Sequence, residues 1–203
     1  MIPYEARSSR PKLYVYFFIA AISIALSSVL ANVFADYKVL PDYIEKWLSN
    51  SSPFLIYSLI FTLVDKFLWK IRLSNYPIGE TLLGIPDISG EYRGYNEISA
   101  LKKKARVKIT QTWTHIGVIY YGKDDTPISK AKAVVLDSSN RDLIELDFLY
   151  QLFSERRDSE KKSQGMNHGV QLSRIDLRDK KLQGTWFNGK EEQGYLNLTK
   201  EGT

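Results

Sequence analysis

Apolar positions are distributed unevenly along this 203-residue chain. Leu13 to Ala35 is an uncharged, mostly apolar run, a shorter one follows from Pro53 to Val64, and after Ile85 come short alternating stretches rich in Val, Ile, Thr and Tyr. The pattern predicts two helical segments ahead of one β-domain.

At about 1.5 Å of rise per residue the first run is long enough to cross a hydrocarbon core of about 30 Å. The second run starts at Pro53, a favourable first-turn residue, and meets Asp65 and Lys66. It spans only if the helix continues through Phe67, Leu68, Trp69 and Ile71, with Lys66, Lys70 and Arg72 snorkelling to the headgroups; otherwise it is an interfacial or buried helix. The expected spans are thus about 13–35 and 53–71, joined by a loop from Asp36 to Ser52 in which Tyr43, Ile44, Trp47 and Leu48 stand at helical spacing. Arg7, Arg10 and Lys12 precede the first run and Lys66, Lys70 and Arg72 end the second, which puts both termini on the cytoplasmic side. Asp65 and Lys66 read as an interfacial pair, or as a polar path if they lie at membrane depth.

From the strand punctuation, strands are expected at 88–97, 105–114, 116–121, 128–137, 142–150, 168–177, 181–188 and 193–199. Arg178-Asp179-Lys180 and Asn188-Gly189-Lys190 are turn clusters, so the last three strands form adjacent hairpins. About eight short antiparallel strands suit a small meander β-barrel. The expected fold is therefore an all-β domain, an eight-stranded antiparallel lipocalin-like barrel over 73–203, preceded over 1–72 by a two-helix transmembrane hairpin. Gly90-Glu91-Tyr92 and Gly184-Thr185-Trp186 are read as strand openings near the two ends of the barrel, where its first and last strands meet.

Net charge changes this picture little. The chain carries +5, but Ser74 to Thr203 holds 20 Lys and Arg against 18 Asp and Glu, so the basic excess lies mostly in the membrane portion, and with no dense basic stripe in the soluble part DNA or RNA is not an expected partner. The absence of cysteine excludes disulfides, thiolate metal sites and cysteine nucleophiles.

Alternation nominates the barrel interior. Val107, Ile109 and Trp113 set an inward register that also points Gln111 inward, Tyr92 shares a face with Asn96, and Ile144, Leu146, Phe148 and Tyr150 share another. Leu182, Gly184, Trp186 and Asn188 form a fourth face. Taken singly, strand aromatics are ordinarily core. Together, Tyr92, Asn96, Gln111, Trp113, Tyr150, Trp186 and Asn188 make an interior richer in amides and hydroxyls than packing requires, and buried polar groups need partners from one another or from a ligand. Mixed rings and amides suit a planar heteroaromatic ligand, with Arg93 and then Lys190 as candidate phosphate contacts.

The stretch Ile85-Pro86-Asp87-Ile88-Ser89-Gly90-Glu91-Tyr92-Arg93-Gly94, the segment Ile109-Thr110-Gln111-Thr112-Trp113 and the hairpin Gly184-Thr185-Trp186-Phe187-Asn188-Gly189, placed after two apolar helices, resemble the two-transmembrane β-barrel effectors of cyclic-oligonucleotide-based antiphage signalling, CBASS. The resemblance covers nearly the whole chain. It implies a cytoplasmic barrel that binds a cyclic dinucleotide made by a cGAS/DncV-like nucleotidyltransferase, an activating ligand rather than a cofactor. It also implies self-association into homo-oligomers and disruption of the bacterial inner membrane, to which the helices anchor the protein.

Other classes find less support. His115 and His168 are the only histidines and form no metal motif. Gly184 to Lys190 matches a P-loop by spacing, but Glu191 stands where Ser or Thr is required, and a Trp-Phe strand cannot supply the glycine-rich turn. No Gly-x-Ser-x-Gly elbow occurs, so an enzyme is not expected. A barrel binding a lipid or another apolar molecule and a purely structural anchor remain as alternatives. Lys102-Lys103-Lys104 is read as an exposed turn and the charged segment 155–162 as a loop, either of which is a candidate ligand-ordered element.

Overall fold

Alternating β-branched and aromatic residues build the larger part of the molecule. The computed structural model describes residues 1–3, 5–7, 13–37, 42–67, 70, 72–73, 76–77, 85–99, 101–122, 125–137, 142–152, 168–189 and 191–202. The chain divides into two units, Met1–Ser9 with Gly84–Thr203, and Arg10–Leu83.

The first unit contains β1 (Ile2–Pro3), β2 (Glu5–Arg7), β5 (Gly90–Ile98), β6 (Leu101–Gln111), β7 (His115–Tyr121), β8 (Pro127–Asp137), β9 (Leu143–Leu152), β10 (His168–Asp176), β11 (Lys181–Asn188) and β12 (Gln193–Lys200). Strands β5 to β12 pair each with the next, and β12 returns to β5 from Tyr195–Glu97 to Lys200–Tyr92. The result is the closed eight-stranded antiparallel meander that the turn spacing implies, with no free edge at that closure. The barrel closes through β12, and Gly184 lies in mid-strand, so the expected opening there is displaced by three residues. Lys102–Lys104 is not a turn but the exposed start of β6, because the hairpin reverses earlier, at Ser99 with φ 47°. The charged segment 155–162 lies outside the described residues.

Side chains fill the two ends of the barrel differently. At the end where β5 begins and β12 finishes, Ile88, Tyr92, Ile109, Trp113, Leu136 and Ile144 are all fully buried. Here Gln111 ties down the entering chain, accepting from the Ile88 N–H at 3.0 Å and donating to the Pro86 carbonyl at 3.2 Å. The Tyr92 hydroxyl donates to the Ile88 carbonyl at 2.9 Å. This apolar end is a packed core, closed by the segment that leads into β5.

The second unit holds α1 (Leu13–Tyr37), α2 (Asp42–Lys66) and the small ladder of β3 (Arg72–Leu73) with β4 (Tyr76–Pro77). The expected loop from Asp36 to Ser52 is largely helix, and Pro53 lies inside α2 rather than in its first turn. The helical spacing of Tyr43, Ile44, Trp47 and Leu48 continues upstream of the proline and carries the helix back to Asp42. The polar stretch Ser49-Asn50-Ser51-Ser52 therefore falls within α2, leaving about twelve apolar residues before Asp65, too few for a span. Among the described residues, no helix is long and apolar enough to cross a membrane. Leu68, Trp69 and Ile71, on which the longer second span depended, lie outside them.

The two helices are packed inside out by the standard of a water-soluble pair. α1 buries Ile19, Ser23 and Ser27 at four-residue spacing and exposes Phe17, Phe18, Ile24, Val29 and Leu30, while α2 exposes Phe54, Leu55, Leu59 and Leu63. The buried hydroxyls of Ser23 and Ser27 donate back to the carbonyls of Ile19 and Ser23, both at 2.7 Å. Tyr16 of α1 meets Phe61 of α2 at 6.0 Å between ring centres.

Candidate functional site

The other half of the barrel interior, toward the β11–β12 hairpin and the end of β9, is polar. Its inward positions are Asn96 on β5, Tyr120 on β7, Ser129 on β8, Tyr150 on β9, Gln171 and Ser173 on β10 and Trp186 on β11, interleaved with Gly169, Gly184 and Gly194. The glycines explain how large rings fit. Tyr150 pairs across the strands with Gly169 and lies against it, and Trp186 pairs with Gly194 and lies so flat that an added Cβ would stand 2.6 Å from the indole. Rings laid along the wall present their faces to the interior.

Hydrogen bonds fix this lining. Trp186 Nε1–H donates to Asn96 Oδ1 at 2.9 Å, and Asn96 Nδ2 donates to the Tyr120 hydroxyl at 3.2 Å, a belt that runs from β11 across β12, β5 and β6 to β7. The Tyr150 hydroxyl donates to the Phe187 carbonyl at 3.1 Å, and Gln171 Nε2 donates to Ser173 Oγ at 2.7 Å. Burial, with the Glu192 charge adding to it, pushes the Tyr150 phenol up to about 12. Burial raises that of Tyr120 as well, opposed by the Asn96 hydrogen bond. Both phenols are therefore neutral hydrogen-bonding groups across the physiological range. Such a lining can stack a flat ring and read its edge. Among the described residues no group of His, Asp and Glu is placed to hold a metal ion.

Of the residues nominated from sequence, Asn96, Tyr150 and Trp186 are brought together here. Asn188 reaches the rim of the same end but is engaged by its own hairpin, donating to Glu192 Oε2 at 2.7 Å and accepting from the Glu192 N–H at 3.0 Å. Tyr92, Gln111 and Trp113 point inward as expected but sit in the apolar end. Arg93 faces outward, ion-paired with Glu201 at 3.1 Å and Glu91 at 3.5 Å. Lys190 lies outside the described residues. Tyr120, Ser129, Gln171 and Ser173 were missed. In β10 the signal ran backwards, since apolar Val170 and Leu172 face out and polar Gln171 and Ser173 face in, and only the buried Ile175 reveals the register.

A closed barrel with a half-polar, aromatic-and-amide interior agrees with what the comparison with known families finds: residues 83–200 match the Cap15 cyclic dinucleotide receptor domain. The chain belongs to that family. Cap15 proteins are CBASS effectors, and the matched span takes in β5 to β12 complete, covering more than half of the chain. It identifies a receptor domain and not a catalytic one. Among curated proteins no match is found.

Proposed function

We propose that this protein is a membrane-anchored CBASS effector whose barrel binds a cyclic dinucleotide within its polar end, and that binding drives self-association and disruption of the bacterial inner membrane. The observation that carries the receptor half is the belt Trp186–Asn96–Tyr120 facing Tyr150 and Gln171 in a Cap15 domain. Trp186 and Tyr150 stack the bases, and Asn96 and Gln171 read their edges. A lipid is the poorer fit, because the apolar end is already filled by fully buried side chains such as Trp113, Ile109 and Leu136.

Anchoring is supported by the inside-out helix pair, with small hydroxyl residues at the contact and large apolar ones outward, as in helices that pack within lipid. The anchor is then the unit Arg10–Leu83, rather than all of residues 1–72, and the receptor is Gly84–Thr203 completed by Met1–Ser9, both termini being cytoplasmic by the placement of Arg7, Arg10, Lys12, Lys66, Lys70 and Arg72. The ligand comes from a cGAS/DncV-like nucleotidyltransferase. A ligand that binds the assembled state more tightly shifts the population toward it, and confinement in a bilayer raises the effective concentration of partners.

The test is full-length protein reconstituted in dye-loaded vesicles, challenged with a panel of cyclic dinucleotides and their linear counterparts. One cyclic ligand is expected to release dye and increase the size of the protein assembly. Ligand binding without either effect would remove the effector half of the proposal.

A further inference from the structure

The joint between β7 and β8 differs from the others. β9 and β10 pair without a break from Leu143–Asp176 to Gln151–His168, whereas β7 and β8 pair only at Ile119–Lys130, Tyr120–Ser129 and Tyr121–Pro127, with a shift in register. Toward the apolar end these two strands part, and the N-terminus of the chain fills the opening. β1 lies antiparallel on β7 through Ile2–Ile116 and Pro3–His115, and β2 lies parallel on β8 through Glu5–Val135, Ala6–Leu136 and Arg7–Asp137. Met1 rests beside Gly117, where an added Cβ would come within 3.5 Å of its Cγ.

This strand is separable from the domain it completes. The whole second unit, Arg10–Leu83, intervenes before the barrel unit resumes, and the Cap15 span begins only at residue 83. The pairing uses backbone in a fixed register, so residues 2–7 of another copy fit the slot as well as its own. An element that completes a fold from outside the contiguous domain is the kind exchanged between protomers, by strand addition to an exposed edge. The slot is also within reach of the site. Tyr120, a member of the Asn96 belt, and Ser129 face one another across the short stretch that holds β7 to β8.

We propose that the β7–β8 slot is the assembly contact: on activation, residues 2–7 of one copy leave their own slot and enter that of a second copy. The inference rests on the ligand-driven assembly proposed above. Exchange conserves every strand pairing, so the balance is set by the local concentration of neighbouring strands and by the ligand's hold on the Tyr120–Ser129 stretch. Each copy offers one strand and one slot, so two copies close by reciprocal exchange, and larger numbers run on strand into slot as rings or open chains.

The absence of native cysteines makes the test clean. Pro3 has no N–H, so Pro3–His115 is not a doubly hydrogen-bonded pair, and the Cα separation of about 4.5 Å in the alternative kind of antiparallel pair suits a disulfide. Full-length Pro3→Cys and His115→Cys chains carrying different tags are mixed in vesicles, exposed to the cyclic dinucleotide panel, oxidised and resolved without reductant. The double variant, Pro3→Cys with His115→Cys, reports closure within one copy. Without ligand the double variant is expected to close on itself. With the active ligand, disulfides between differently tagged chains are expected to rise by at least about tenfold, and a double variant oxidised beforehand is expected not to assemble. An assembly that grows with ligand while the mixed chains never cross-link, or that grows from the pre-oxidised double variant, would overturn the exchange alone. No growth with any ligand would overturn the assembly reading and the exchange with it.

Discussion

Adding one carbon at Gly194 is expected to dismantle the polar belt without altering a polar atom. A Cβ there would stand 2.6 Å from Cε2, Cζ2 and Nε1 of Trp186, while ordinary contact begins at 3.4 Å, so the indole must move by the difference, 0.8 Å. Movement of that size away from the wall lengthens the 2.9 Å bond from Trp186 Nε1 to Asn96 Oδ1 toward or past its useful limit. Overpacking of this kind costs about 1–3 kcal/mol and the lost bond about 1 kcal/mol, together about 2–4 kcal/mol. At about 4 °C per kcal/mol for a domain of this size, Tm falls by about 8–16 °C. Gly194 has no left-handed φ, so alanine suits its backbone and the effect is steric. Gly202→Ala is the control, because a Cβ there meets nothing within 4 Å. The assay is thermal unfolding of the full-length protein followed by indole fluorescence, with cyclic dinucleotide titration of the same samples. A displaced stacking ring should weaken binding by at least about tenfold, or 1.4 kcal/mol. Gly194→Ala with Tm within about 1 °C of the parent and unchanged affinity would refute the reasoning.

Gln111→Leu leaves the buried Ile88 N–H and Pro86 carbonyl without their partner. Chemical denaturation should show a loss of about 2–4 kcal/mol with ligand affinity unchanged, separating the packed end from the binding end. Arg93→Ala removes only exposed ion pairs to Glu91 and Glu201 and should cost less than about 1 kcal/mol, with no loss of affinity measurable by titration. For Tyr150 the folded-state pKa, about 12, lies above the ordinary phenol value of 10.0, so its contribution is complete below pH 10 and is lost as pH rises toward 12. Stability measured across that window should fall, and Tyr150→Phe should flatten the fall; an unchanged slope would mean that the phenol is not held protonated by its surroundings.

The barrel was legible because its alternation is strict where strands face a packed core. Lys181–Asn188 matches in full, and Asn96, Gln111, Tyr150 and Trp186 were turned inward correctly by their apolar neighbours. Which inward residues share an end was not legible, because period-two alternation sets the face but not the height along the barrel, and height separates Asn96 from Gln111. Outward Val170 and Leu172 masked Gln171 and Ser173 for a different reason, since in that strand the apolar positions face out and alternation points to the wrong face. The strands at Ile2–Pro3 and Glu5–Arg7 were invisible, since two or three residues carry no periodicity and their conformation is imposed by a slot built from residues more than a hundred positions later. An isolated fragment from residue 73 onward would lack them, so binding and stability are best measured on the full chain.

The most direct measurement is equilibrium binding of cyclic dinucleotides to full-length protein in detergent, compared with Asn96→Leu. Asn96 joins Trp186 to Tyr120. Saturable binding of one cyclic ligand by the parent, lost or weakened at least about tenfold in a folded Asn96→Leu variant, is the expected result. Equal affinity in parent and variant would place the ligand elsewhere and contradict the assignment of the polar end, and no binding by a folded parent would contradict the receptor itself.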